Sequence, residues 1–444
     1  MKLSSKLLLW VFFLAFVLAG YQHCGDRFKT ESFDANLSDS MSSLSQPQLL
    51  LPPVKTSYPK IMSINIANPA NYSNEDYILK MSRSDVLFLN FWARWTSGKT
   101  TISDLVKKIK LLHPGILVGQ YTILSEAQNI TNPNAANFDK AQKLSQEDWW
   151  LRNIAGELVQ WTSKHNAYET NITTWTRPDK YGLRYPQWLA NRDYNNFFLP
   201  TNGFDLWYFD LVLSKPAVRY ADWNRNGVTD SNNNPEFAKA YRLGHVAEWT
   251  KARSLNKDIL LFGNTDDLSS PEYSGRLQGA LMEAIIGASW STEKLYGWNR
   301  AMLRYRATIK HTAPPHIVGF DVHGKVDDYQ RMRYGLSSCL LDDGYFSYSN
   351  VDAPYASSVW FDEFDADLGM PIELPPLEPI KNGVYRRKFE RGMVLVNPTA
   401  FPVTISVEAG YRRIKGVQAP LFNNGSPVSS ITLASKDGIL LLKR

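Results

Sequence analysis

From Tyr58 onward, short apolar runs of the chain alternate with longer segments of helical character. Near-continuous apolar runs separated by helices are typical of parallel strands in a sheet that is covered on both faces. Eight segments fit this description: Lys60–Ala67, Asp85–Trp92, Gly115–Ile123, Gly203–Val212, Asp258–Thr265, Gly279–Ile285, His316–Gly324 and Tyr345–Tyr348. The pattern predicts an α/β fold, a (β/α)8 TIM barrel. An open doubly wound sheet is the alternative, although no glycine-rich dinucleotide or phosphate loop opens any of the helices.

The segments before and after the barrel have a different character. Residues 1–20 contain the apolar run Leu7–Gly20 after a short basic region, which predicts a signal peptide or an N-terminal anchor. Residues 21–57 are rich in Ser, Asp, Gln and Pro and predict a flexible linker. The barrel is expected to span 58–370. A proline-rich stretch then leads into short alternating runs, so residues 371–444 predict a small C-terminal antiparallel β-sandwich domain.

Charge and cysteine content exclude several classes of function. The 444 residues carry 49 basic and 43 acidic side chains, and the basic ones are scattered rather than clustered, which argues against nucleic acid as a partner. The two cysteines do not have the spacing of a metal site, so no cofactor is expected. We expect a secreted, periplasmic or cell-envelope protein that meets a membrane through its N-terminal segment alone, if that segment is uncleaved.

Two acidic residues in apolar surroundings are the strongest candidates for catalysis. Asp210 ends the apolar run "GFDLWYFDLV", where an unpaired carboxylate is costly to bury, and Glu283 lies in "LMEA" near the end of the sixth strand. In a (β/α)8 barrel, chemistry takes place at the C-terminal ends of the strands. Two carboxylates there match glycoside hydrolysis, in which one acid protonates the leaving oxygen and the other attacks the anomeric carbon or activates water. A structural role as a loop cap or ion-pair partner is the alternative for each.

Further side chains, at strand ends or in the long loop after the third strand, are candidates for sugar binding, because amides and hydroxyls bind sugar hydroxyls and aromatic rings offer flat platforms. These candidates are Asn65, Trp92, Tyr121, Trp150, Asn264 and Asp321. For a single aromatic ring, core packing is the common alternative. The motif "DVHG" around Asp321 also suits a turn.

The segment "DWNRNGVTD" resembles part of a calcium-binding loop, with oxygen-bearing side chains at Asp222, Asn224, Asn226 and Asp230. The glutamate that usually completes such a loop is replaced by Asn233. A turn rich in Asp and Asn is therefore the favoured interpretation, with calcium as the alternative.

Several of these motifs together resemble a known family. The segments "GFDLWYFDLV", "DWNRNGVTD", "LMEA", "WFDEFDADLG" and "YRRKFERGMVLVNPT" are similar to those of bacterial glycoside hydrolases of (β/α)8 fold, distantly related to the α-galactosidase and endo-α-1,4-polygalactosaminidase barrels. The resemblance spans Tyr58 to the C-terminus and implies a barrel followed by a β-sandwich. It also implies that the aspartate of the fourth strand, Asp210, is nucleophile or base and that Glu283 is the proton donor. The chain departs from the "GxDGxxxD" pattern at Leu206, where a glycine is usual.

Together these observations predict an exported glycoside hydrolase that cleaves O-glycosidic bonds of a poly- or oligosaccharide. The alternative is a non-catalytic carbohydrate-binding or cell-surface scaffold protein on a degenerate barrel, because fold does not determine function. A deacetylase would use a histidine-rich metal site, and the seven histidines of the sequence do not cluster.

Overall fold

The computed structural model describes residues 57–444 except 67–68, 90–95, 98–99, 136, 161–162, 164–165, 219, 266 and 357. The predictions made for residues 1–56, a signal peptide or anchor and a linker, lie outside the described residues. No helix within the described part of the chain combines the length and apolar character that a membrane crossing requires.

Eight parallel strands form the central sheet, and each overlaps one of the segments that the sequence predicts. They are β1 (Met62–Asn65), β2 (Val86–Leu89), β3 (Leu117–Ile123), β4 (Leu206–Asp210), β5 (Leu260–Asn264), β6 (Gly279–Ile286), β7 (Ile317–Gly324) and β8 (Tyr345–Asn350). The strands are hydrogen-bonded in chain order. The two edges of the sheet meet where Ile61 forms a parallel bridge with Phe346, whose N–H donates to the carbonyl of Lys60 at 2.8 Å. The sheet therefore closes into a barrel, as predicted.

Aromatic rings fill the barrel interior where neighbouring strands carry glycine. Phe88 packs against Phe262 with ring centroids 4.5 Å apart. A Cβ atom at Gly119 would lie 2.5 Å from the Phe88 ring, and one at Gly279 would lie 2.3 Å from the Phe262 ring. The absence of these two side chains lets the rings occupy the centre of the barrel, in keeping with the close packing of protein interiors.

Helices cover most of the outside of the barrel. They are α1 (Glu75–Met81), α2 (Ile102–Leu112), α3 (Phe138–Gln146), α4 (Tyr185–Asp193), α5 (Pro235–Leu255), α6 (Thr292–Tyr296), α7 (Trp298–His311) and α8 (Tyr329–Cys339). Helix α2 begins where the Thr101 side chain accepts a hydrogen bond from the Asp104 N–H, a standard N-cap. Between β5 and β6 the described residues contain turns rather than a helix. The (β/α) alternation is thus interrupted once in this part of the chain.

The connection between β3 and β4 is long and has its own core. It contains a two-stranded antiparallel sheet, in which Glu126–Gln128 pairs with Ala167–Glu169, together with α3 and α4. Trp149, Trp150 and Tyr185 pack there against residues of α5 and of the loop after β4. The insertion leaves the C-terminal end of β3, at the barrel mouth, and the chain returns through α4 to the N-terminal end of β4, at the opposite end of the barrel.

The C-terminal part of the chain is an antiparallel sheet of five strands. These are β9 (Tyr385–Phe389), β10 (Gly392–Asn397), β11 (Val403–Arg413), β12 (Pro427–Leu433) and β13 (Asp437–Lys443), hydrogen-bonded in the order β9-β10-β13-β11-β12. The antiparallel architecture is confirmed. The description of this region as a sandwich stays a prediction, because hydrogen bonds join the five strands into one sheet.

The C-terminal sheet packs directly on the barrel. Val394 and Val396 of β10 belong to the same buried cluster as Met332 and Leu336 of α8. The opposite face of β10, with Met393 and Leu395, packs within the C-terminal region itself. Apolar side chains alternate along β10 to both faces, and both faces are buried.

Candidate active site

Asp210 lies at the carboxyl end of β4, where the strand leaves the barrel and opens to solvent. Its Oδ2 accepts a hydrogen bond from the Tyr121 hydroxyl at 2.6 Å, and its Oδ1 accepts from the side-chain amide of Asn264 at 2.9 Å. The Leu211 N–H donates to Oδ1 as well, at 2.8 Å. Three donors therefore hold a partly exposed carboxylate in place, which answers why an apolar strand can end in an aspartate.

Glu283 reaches the same mouth from β6, just before a bulge. Gly279 faces the Phe262 ring in the barrel interior, and the alternation of the strand turns Glu283 to the same side. The register between β6 and β7 shifts between Met282 and Ile286, and Ala284 has a left-handed φ of +45°. The Glu283 carboxylate accepts from the Tyr355 hydroxyl at 2.5 Å and from Asn264 at 2.9 Å.

Asn264 lies at the end of β5, between the strands that carry Asp210 and Glu283, and its contacts define the distance between the two carboxylates. Its Nδ2 donates to Oδ1 of Asp210 and to Oε2 of Glu283, at 2.9 Å in both cases. The two N–H bonds of an amide nitrogen diverge by about 120°, so the two acceptor oxygens lie about 5 Å apart. The structure thus brings Asp210 and Glu283 together, and their catalytic roles stay a prediction.

The proximity of the two acids shows in their electrostatics. Burial raises the pKa of Asp210, and the negative charge of Glu283 raises it further, while the hydrogen bonds from Tyr121, Asn264 and Leu211 lower it; the net direction is upward. Burial and the charge of Asp210 also raise the pKa of Tyr121 well above its usual range, so this hydroxyl stays a proton donor.

Asp321 is fully buried, and its oxygens are occupied by protein donors. Its Oδ1 accepts from the hydroxyls of Ser347 and Ser349 at 2.8 and 2.9 Å. Its Oδ2 accepts from the Ala284 N–H at 3.0 Å and contacts Nε2 of His323 at 2.9 Å. These four contacts are all with protein groups and do not favour the predicted contact between Asp321 and sugar, which stays a prediction.

Two other predicted sugar-binding residues are also buried. The Asn65 side chain bonds the hydroxyls of Tyr72 and Tyr77 beneath the rim. Trp150 has 1% of its surface exposed, and its indole N–H donates to Ser145 within the core of the insertion. Packing closes over both side chains and does not favour the two predicted sugar contacts, which stay predictions. Trp92 lies outside the described residues, whereas Tyr121 and Asn264 do lie at the mouth.

The segment from Asp222 to Asp230 forms a turn whose carboxylates accept backbone N–H groups. Asp222 accepts from Asn226 and Gly227 at 3.0 and 2.8 Å, and Asp230 accepts from Trp223 at 2.7 Å. These contacts are those of an Asp- and Asn-rich turn. No group of three His, Cys, Asp or Glu side chains within the described ranges is arranged to hold a metal ion.

Two residues that contact the site, His323 and Tyr355, were not predicted from the sequence. His323 is the penultimate residue of β7, and its Nε2 lies 3.2 Å from the Tyr355 hydroxyl. Tyr355 lies five residues beyond β8. The strand-end rule that selected Tyr121 could have selected His323. Tyr355 stands in an irregular loop without any periodic pattern, so no comparable signal marks it.

Comparison with known proteins adds a family and a set of distant structures. The model of a family described as hypothetical glycosyl hydrolase family 15 matches residues 110–393. No curated protein matches the chain. The structure is similar to an Anoxybacillus α-amylase, at 11% identity over 87% of this chain and 98% of that one, with a TM-score of 0.46.

Two further solved structures are similar at the same level. Amy13B of Eubacterium rectale is 10% identical over 88% of this chain and 97% of its own, with a TM-score of 0.48. The glycoside hydrolase domain of PelA from Pseudomonas aeruginosa is 13% identical over 66% of this chain and 94% of its own, with a TM-score of 0.40.

Proposed function

Because the chain belongs to hypothetical glycosyl hydrolase family 15, we propose that it hydrolyses O-glycosidic bonds of a poly- or oligosaccharide at Asp210 and Glu283. The observation that carries this proposal is the Asn264 amide, which donates to both carboxylates at once. A separation of about 5 Å is the separation used by retaining glycosidases, whereas inverting enzymes need about 6.5–9.5 Å to admit a water molecule.

The proposed reaction has two steps. Asp210 attacks the anomeric carbon while Glu283 donates a proton to the departing glycosidic oxygen, so the C–O bond to the leaving sugar breaks as a glycosyl ester forms. Water then attacks the anomeric carbon, Glu283 takes the proton from this water, and Asp210 leaves as a carboxylate. The product keeps the anomeric configuration of the substrate.

The hydrogen bonds favour this division of roles. Asp210 accepts from three donors, and each such bond stabilises a carboxylate more than a neutral acid. Glu283 accepts from two donors, the Asn264 amide and the Tyr355 hydroxyl, so its carboxylate form is stabilised by fewer hydrogen bonds. Tyr121 and Asn264 flank the pair and are proposed to contact the sugar as well.

The remaining predictions belong to the same proposal. Residues 1–20 would direct export to the periplasm, cell envelope or medium, where a polysaccharide substrate is accessible. Residues 58–370 would form the catalytic barrel, and residues 371–444 a C-terminal domain of sandwich type. The alternative, a carbohydrate-binding scaffold, finds less support, because such a protein has no need to hold two carboxylates at bonding distance from one amide.

A polysaccharide panel tests the proposal, with product anomers followed by proton NMR. We expect hydrolysis with retention, and a loss of at least about 1,000-fold in kcat for Asp210→Asn and for Glu283→Gln. Asp205→Asn is the matched control, because Asp205 lies just before the opposite end of β4, where it bonds Lys110 and the Val118 N–H. It should keep wild-type kcat.

Azide distinguishes the two roles. With Glu283→Ala, azide should replace water and yield a glycosyl azide of retained configuration, whereas with Asp210→Ala it should yield the inverted azide. Hydrolysis that survives either substitution at the wild-type rate would remove that residue from the mechanism. Binding of a polysaccharide without any turnover would favour the scaffold alternative.

A further inference from the structure

Asp321 is a buried carboxylate that the proposed reaction does not use. It accepts from two serines of β8, and its second oxygen contacts two groups that both lead to Glu283. Burying a carboxylate costs its hydration, and four contacts with protein groups replace that hydration here. Two of these contacts connect Asp321 with Glu283.

The first connection runs through the backbone. Oδ2 of Asp321 accepts from the N–H of Ala284, the residue directly after Glu283. Ala284 adopts φ of +45°, a left-handed conformation that is unfavourable for a residue with a Cβ. The hydrogen bond from Ala284 to Asp321 offsets that strain and holds the bulge that begins beside Glu283. The backbone from which the Glu283 side chain departs is thereby fixed.

The second connection runs through side chains. Nε2 of His323 lies 2.9 Å from Asp321 and 3.2 Å from the Tyr355 hydroxyl, and that hydroxyl donates to Oε1 of Glu283. Because Nε2 faces a carboxylate, it carries a hydrogen, and this one hydrogen is shared between Asp321 and the Tyr355 oxygen, while the Tyr355 hydroxyl directs its own hydrogen to Glu283.

We propose that Asp321 is a positioning residue for Glu283, acting through the Ala284 bulge on one side and through His323 and Tyr355 on the other. The inference rests on the proposed function in so far as Glu283 is the acid and base of the reaction. Burial lowers the pKa of His323, but the charge of Asp321 and the hydrogen bond to it raise this pKa above its ordinary value, in keeping with a protonated ring in the network.

The dependence of kcat/KM on the leaving group distinguishes a loss of positioning of the acid from general damage to the site. On a natural glycoside identified by the panel, Asp321→Asn should lower kcat/KM by about 100-fold, because departure of the sugar needs a proton. On the 2,4-dinitrophenyl glycoside of the same sugar, whose leaving group needs no proton, kcat/KM should change by less than about fivefold. On the dinitrophenyl glycoside, kcat and KM should fall together, because Glu283 also serves as the base that activates water in the second step. Azide, which needs no base, should restore kcat.

Tyr355→Phe breaks the side-chain connection alone and should show the same preference to a smaller degree. Asp205→Asn, the same substitution at the other end of the barrel, should show none. Equal losses of kcat/KM on both glycosides for Asp321→Asn would overturn the inference, because they would indicate damage that is not specific to the acid.

Crystal structures of the wild-type protein and of Asp321→Asn decide the positioning itself without any substrate. We expect Ala284 to leave the left-handed conformation and Glu283 to lose its contact with Asn264. If Glu283 is unmoved in the variant, the inference is wrong even when the protein is a glycosidase. If the panel shows no hydrolysis but Glu283 moves, the positioning role stands and the proposed function fails.

Discussion

At the scale of single residues, Asn264 decides what the two acids can do together. Its amide has two N–H bonds, and each ends on a different carboxylate. Like charges this close raise the pKa of Asp210, in addition to burial, so the pair resists full ionisation. Glycoside hydrolysis uses two carboxyl groups at such a separation, one of them ionised and the other protonated.

The Tyr121 hydroxyl gives a residue-scale prediction. Its hydrogen bond to Asp210 lowers the pKa of that carboxyl against the effects of burial and of Glu283. A nucleophile acts when ionised, so activity grows as pH rises through the pKa of Asp210. Removing the hydroxyl raises this pKa further, and Tyr121→Phe should move the acid limb of the kcat/KM profile to higher pH.

The measurement is a pH profile of kcat/KM for wild type and variant. Tyr348→Phe is the control, because the Tyr348 hydroxyl donates to the backbone carbonyl of Lys325 and touches neither acid. An acid limb that stays in place, or that moves to lower pH in Tyr121→Phe, would contradict the assigned role of Asp210.

At the scale of elements, helix α5 carries a polar stripe into the interior. It follows strand β4, which carries Asp210, and packs on α4. Both nitrogens of His245 and both carboxylate oxygens of Glu248 are buried without a hydrogen-bond partner among the described residues. Burial and the charge of Asp193 raise the pKa of Glu248 well above its ordinary value, although Lys140 opposes this.

Glu248 gives the element-scale prediction. Its folded pKa lies above its unfolded value of about 4.3, so the stability that protonation contributes is present below pH ~4 and is lost as pH rises through the folded pKa. Glu248→Gln has no charge to bury. It should raise Tm by at least about 2 °C at pH 7.5 and by less at pH 4.5.

Thermal unfolding at the two pH values checks this prediction. Glu236→Gln, in the exposed first turn of the same helix, is the control and should change Tm little at either pH. An equal gain at both pH values, or a loss confined to pH 7.5, would show that the Glu248 carboxylate is not the group that titrates.

At the scale of the whole molecule, the barrel and the C-terminal sheet share one core and one buried ion pair. Helix α8 of the barrel contributes apolar side chains to the cluster that also contains Val394 and Leu440. On the same helix, Arg333 pairs with Asp437 at 3.1 Å, and both side chains are buried. The two regions should therefore unfold together rather than in separate transitions.

Arg333→Met tests this cooperativity. The substitution leaves Asp437 buried without its cation, which typically costs about 3–5 kcal/mol, so the single transition of a unit this long should move to a Tm lower by about 4–6 °C. Calorimetry of the full chain provides the measurement. Arg391→Met removes an exposed ion pair with Asp367 and should leave Tm unchanged within about 1 °C. Two resolved transitions in the wild type would contradict the shared core.

The fold follows from local information to a large extent. Each of the eight strands could be located because apolar runs are continuous where both faces of a sheet are covered, and parallel strands end at one rim by geometry. That rule selected Asp210, Glu283, Asn264 and Tyr121, which do meet at the mouth. The sequence by itself therefore determined the barrel and the strand ends that could carry chemistry.

Which of those side chains face the mouth was decided by the tertiary structure. Asn65 and Asp321 lie at strand ends as the residues of the mouth do, and Trp150 lies in the insertion after β3, yet packing buries each of them. The backbone beside Glu283 is held by Asp321 of β7, and Tyr355 contacts Glu283 from a loop without periodicity. These outcomes depend on contacts between residues tens of positions apart. Local periodicity does not encode them, because burial and hydrogen bonding are properties of neighbours in space.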